Sequence, residues 1–104
     1  MFKLINDRQT DSNAFWVQQG EVINFQCDRF PQQQEFIQAA NDLATEQGFQ
    51  ITDISEGVDR AQVHFVVTNT RYILCFEGTC EAIWIEAVGR YEAQTLASLL
   101  TQLN

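Results

Sequence analysis

Basic residues are scarce. Lysine and arginine together number 6, against 14 aspartates and glutamates, in a chain of 104 residues with a formal charge of −8. Nucleic acids and anionic membrane surfaces are gripped through clustered Lys and Arg, so neither is expected as a partner. Lys3 is the sole lysine and lies near the terminus, which weakens any Schiff-base chemistry. Glycine-rich phosphate loops and nucleophile elbows are missing: there is no GxGxxG, GxxxxGK[ST] or GxSxG. No apolar run approaches the roughly 20 residues that span a bilayer. The opening MFKLINDRQTDSN lacks the apolar stretch of roughly 7–15 residues that a secretory signal needs. A cytoplasmic location is therefore expected, with Cys27, Cys75 and Cys80 as thiols. Cys75 and Cys80 do not have CxxC spacing, and the chain has one histidine, His64, so no metal and no cofactor are expected.

What is present is an ordinary globular composition, 45% hydrophobic and 19% charged. The length corresponds to one domain over residues 1–104. Residues 14–27 alternate at period two and read as two short strands turning at Gln19–Gly20–Glu21, with Ile23, Phe25 and Cys27 on the apolar side. Residues 1–5 read as an additional, frayed edge strand. Residues 31–47 read as a helix. Pro31 suits its first turn, Asp28 stands upstream as a candidate cap, and Phe36, Ile37, Ala40, Leu43 and Ala44 form one stripe. Gly48 then takes the left-handed closing position, with Phe49 packing back. A strand over 49–55, a loop over 55–60, and strands over 61–67, 71–77 and 81–87 follow. Short polar links make the last three an antiparallel meander. A second helix spans 91–103, with Ala93, Leu96, Ala97, Leu100 and Leu103 inward. The order ββ-α-ββββ-α predicts an α+β two-layer sandwich, a mostly antiparallel sheet with both helices on one face.

Register can be argued from pairing. With Glu77–Gly78 central in the last hairpin, Cys75 faces Cys80 and Leu74 faces Glu81. With Gly78–Thr79 central, glycine takes a positive φ, Leu74 meets Ile83, Tyr72 meets Ile85, Ile73 meets Trp84 and Arg71 meets Glu86. The second choice matches apolar to apolar and charge to opposite charge, and is preferred. A turn at Asn69–Thr70 sets Val67 against Tyr72, Phe65 against Leu74 and Val63 against Phe76, and pairs His64 with Cys75.

One face of the meander then carries Ala61, Val63, Phe65, Val67, Tyr72, Leu74, Phe76, Ile83 and Ile85, the expected core. The other carries Gln62, His64, Val66, Arg71, Ile73, Cys75, Ala82, Trp84 and Glu86. A solvated face is normally built from Thr, Lys, Glu and Gln. Here Val66, Ile73 and Trp84 form an expected row across three strands. Three covers fit it: the N-terminal segment with Phe2, Leu4, Phe15 and Trp16, a second copy in a homodimer, or another protein or apolar ligand.

Catalytic candidates are few. His64 beside Cys75 could form a nucleophile pair, but mid-strand backbone amides supply no oxyanion hole. Asp53, Glu56 and Asp59 recur at spacing three without matching a calcium-loop pattern, and read as a solvated acidic loop. Trp16 and Trp84 could stack on a ligand, although single tryptophans belong more often to cores and interfaces. The expected function is that of a small acidic, non-catalytic interaction, regulatory or chaperone-like protein, dimeric, acting through Val66, Ile73, Trp84, His64, Cys75 and Arg71. The alternative is a small-molecule binding domain or minor enzyme with a pocket near His64, Cys75 and Trp84.

Overall fold

A computed structural model describes residues 2–6, 14–89 and 92–104. Its elements are β1 (Phe15–Gln19), β2 (Val22–Gln26), α1 (Gln33–Gln47), β3 (Gln50–Gly57), β4 (Arg60–Val67), β5 (Thr70–Glu77), β6 (Ala82–Ala87), a 3-10 turn (Glu92–Thr95) and α2 (Leu96–Leu103). The strands form one six-stranded antiparallel sheet in the order β1-β2-β6-β5-β4-β3. The α+β sandwich with both helices on one face is as the sequence predicts. Residues 2–6 form no strand; Met1, Tyr91 and the Ala93 side chain lie outside the described residues.

The core lies where the alternation puts it. Ala61, Val63, Phe65, Tyr72, Leu74, Phe76, Ile83 and Ile85 are all buried, while Val67 packs at the margin. Helix α1 lays Phe36 on Phe76, with ring centroids 5.0 Å apart. Phe30 stacks on the same ring at 5.3 Å and Phe49 on Phe65 at 5.2 Å. Helix α1 does not start from Asp28. Gln32 is the capping residue, and its backbone N–H donates to the Glu35 carboxylate at 3.0 Å, three positions on. Its end follows expectation: Gly48 is left-handed at φ 74°. Ala39 joins the buried stripe while Ile37 stays at its edge. In α2 the buried residues are Leu96, Leu99 and Leu103. Ala97 is exposed, because the preceding residues wind as a 3-10 turn and rotate the α-helical face.

Both hairpin registers differ from expectation by two residues. Between β5 and β6 the pairs are Tyr72–Ala87, Ile73–Glu86, Leu74–Ile85, Cys75–Trp84, Phe76–Ile83 and Glu77–Ala82. A four-residue loop, Gly78–Glu81, replaces the tight turn, and Glu81, at φ 51°, takes the left-handed conformation assigned to Gly78. The reason is Phe76. The expected register would set this buried ring opposite Glu81; the observed one sets it opposite Ile83. Between β4 and β5 the turn is Thr68–Asn69, at φ 47° and 66°, so that Ala61 meets Phe76 and Val63 meets Leu74. A slip of two preserves faces, since side chains alternate with period two. Strand β3 also runs further than the sequence implies, through Gly57, with the turn confined to Val58–Asp59.

Candidate functional site

The helices cover one face of the sheet. On the other face, cross-strand rows follow from the ladders. One row runs Val17, Asn24, Trp84, Cys75, Gln62, Ser55; the next runs Gln19, Val22, Glu86, Ile73, His64, Asp53. Val66 sits opposite Arg71. Val66, Ile73 and Trp84 therefore share this face but not one row. The two-residue register change staggers them into a diagonal, still within reach of long side chains. All three are half-buried.

Of the described N-terminal residues, Phe2, Leu4 and Trp16 do not cover them. Leu4 and Trp16 are buried in the core on the helix side. Phe2 meets Phe25 edge-on at 6.0 Å and Trp16 meets it at 4.8 Å. The Trp16 indole N–H donates to the Leu4 carbonyl at 3.0 Å, and Asn6 Oδ1 accepts the Trp16 backbone N–H at 3.0 Å. Asn6 and Asn104 are joined through their side-chain amides. Phe15 is the exception among the four: it alternates onto the open face with Val17. Sequence reasoning missed Phe15, Val17 and Val22 as members of this face. Their alternation was visible, but nothing local announces that β2 docks against β6.

Cys75 is only 3% exposed although it lies on the face without helices. Burial pushes its thiol up to about 12, and the Glu86 and Glu77 carboxylates push the same way. Its backbone neighbours are Trp84 and Gln62, whereas His64 faces Ile73 and Asp53. The expected His64–Cys75 pairing is thus broken, and a thiol held protonated beside carboxylates is the opposite of an activated nucleophile. The Trp84 indole N–H donates to Glu86 Oε2 at 3.1 Å, which fixes the ring against the sheet. Arg71, expected opposite Glu86, stands exposed opposite Val66.

The three acidic residues of the supposed loop are dispersed. Asp53 faces His64 in the open-face row, Glu56 accepts from Gln33 Nε2 at 3.2 Å, and Asp59 accepts the Thr79 hydroxyl at 2.6 Å. Among the described residues no group of three His, Cys, Asp or Glu side chains could hold a metal ion. The three cysteines are free thiols: Cys75 buried, Cys27 half-buried and Cys80 exposed. Burial, then Asp28 and Glu81, also raises the Cys27 thiol. Among the described residues no helix is long and apolar enough to cross a membrane.

Neither a curated protein nor a solved structure matches this chain. A family model does, over residues 14–104, from β1 through α2. The chain belongs to the family described as "Protein of unknown function (DUF3630)".

Proposed function

We propose that this chain is a non-catalytic protein-interaction module, regulatory or chaperone-like, that works through the open face of its sheet and associates with a second copy of itself there. The observation that carries the reading is the half-buried diagonal of Val66, Ile73 and Trp84 on the face opposite the helices, with Trp84 directly across from the buried Cys75. Apolar side chains at such positions gain most of their remaining burial from another surface. The same face holds charges of both signs: Arg60 and Arg71 against Asp53, Glu77 and Glu86. A mixed face can meet a two-fold copy of itself without opposing like charges throughout. The small-molecule or enzymatic alternative finds less support. A functional pocket at His64, Cys75 and Trp84 would need an accessible thiol, and Cys75 is buried.

The test is mass in solution by light scattering across a concentration series. The wild-type chain is expected as a dimer and Trp84→Glu as a monomer with unchanged far-UV dichroism. A wild-type chain that stays monomeric at high micromolar concentration overturns self-association.

A further inference from the structure

The sheet has two margins, β1 and β3. The β1 margin is dressed, because Asn6 takes the Trp16 backbone N–H on that side. The β3 margin is open over most of its length; at its far end Gln33 Nε2, from α1, donates to the Gly57 carbonyl and to Glu56 Oε1, each at 3.2 Å. Seven of its eight residues are exposed and Ile51 alone is half-buried. Among the described residues no strand pairs with its outer side. The two-residue turn makes Gly57 and Arg60 the flanking pair, which in such hairpins is hydrogen-bonded. Alternation then directs the backbone N–H and C=O of Glu56 and Ile54 outward, away from β4. A bulge between Ile51 and Asp53 breaks the margin at its beginning and leaves Asp53–Gly57 regular. That stretch carries two carboxylates, Asp53 and Glu56, and no cation. A depression of about 290 Å3 opens beside it, lined by Ser55, Glu56, Gly57, Arg60, Ala61 and Gln62.

We propose that the outer margin of β3, over Asp53–Gly57, docks an extended, positively charged segment of another protein, which joins the sheet as an added strand. Backbone hydrogen bonds to Ile54 and Glu56 supply the attachment, and side chains of the incoming strand supply the selection. Its Lys or Arg residues meet Asp53 on the open face and Glu56 on the helix face, and one side chain enters the depression between β3 and β4. The bulge and the carboxylates, which deter indiscriminate edge pairing, do not deter a basic strand. A second copy fits poorly: it brings its own Asp53 and Glu56, on a chain of charge −8, to the same margin. This site adjoins the open face and shares Asp53, Ser55, Arg60 and Gln62 with it, but its attachment runs through the outward backbone of Ile54 and Glu56, so Ile54→Pro and Trp84→Glu test the two proposals separately.

The experiment uses the whole chain and a short fluorescent peptide of repeated Lys-Lys-Thr-Thr, which as a strand presents lysine on both faces, followed by anisotropy. The wild-type chain is expected to bind it, more weakly as salt rises, and to ignore the same peptide with glutamate in place of lysine. Ile54→Pro removes an outward N–H that β4 does not use, at an edge position where proline is accepted. It is expected to weaken binding about tenfold or more, with dichroism and urea midpoint confirming the fold. Should that variant unfold, the double variant Asp53→Lys, Glu56→Lys carries the test, with preference reversed toward the glutamate peptide. Trp84→Glu is expected to bind the lysine peptide as the wild type does. Failure of the lysine peptide to bind at millimolar concentration, equal binding of the glutamate peptide, or undiminished binding by the folded variants overturns the proposal.

Discussion

Cys75 shows how far one side chain's position governs its chemistry. A small, polarisable side chain fills the centre of an otherwise open face, and its thiol is held up to about 12 by burial and by Glu86 and Glu77. Unfolding returns it to an ordinary value near 9.0. Between those values the folded chain keeps a proton that the unfolded chain has lost. The stability this group contributes is therefore complete below pH 9 and declines toward pH 12, by about 1.4 kcal/mol per pH unit. Urea unfolding from pH 8.5 upward is expected to show that decline, and Cys75→Ala is expected to flatten it. A second residue-scale consequence concerns Gly78. A methyl group placed there would come within 2.0 Å of the Asp59 carboxylate. That carboxylate is held by the Thr79 hydroxyl at 2.6 Å, and the Asp59 carbonyl accepts the Gly78 N–H at 2.9 Å. Gly78→Ala is expected to cost about 1–3 kcal/mol in urea titrations. In an Asp59→Ala background the same change is expected to cost less, since the obstructing group is gone.

At the scale of elements, the hairpin tips differ in quality. The Thr68–Asn69 turn has both central residues left-handed, the geometry that suits the twist of paired strands. Asparagine tolerates it, but a β-branched threonine at φ 47° does not. Thr68→Asn is expected to stabilise the protein by about 0.5–1 kcal/mol, read as a rise of a few degrees in thermal midpoint. These tips are also where sequence reading lost the register. The faces of β4, β5 and β6 were legible because alternation is local and survives a slip of two. The slip itself depended on Phe76 needing Ile83 across from it, and on Glu81 rather than a glycine adopting the left-handed conformation. Helix α1 was legible through its stripe and Gly48. Its capping by Gln32 and Glu35 was hidden behind Asp28, a better capping residue in the wrong place. The open face was found from its apolar members alone. That Asp53 sits beside His64, and that Cys75 lies against Trp84, required pairings no single strand encodes.

For the whole molecule, the two proposed surfaces make opposite demands on ionic strength. Association through the open face brings together two chains of charge −8 and relies on apolar contact. Salt screens that mutual repulsion, so raising it is expected to favour the dimer in light scattering. Capture of a basic strand along β3 relies on carboxylates and is expected to weaken over the same range. A single salt series with both readouts therefore separates the surfaces without any substitution.

The pairing of β2 with β6 brings Ile23 against Ile85 across most of the chain's length. During synthesis the first hairpin emerges from the ribosome long before its neighbour exists, while β3, β4, β5 and β6 can zip sequentially as each is released. The early hairpin therefore keeps the β2 edge unclaimed until β6 is released.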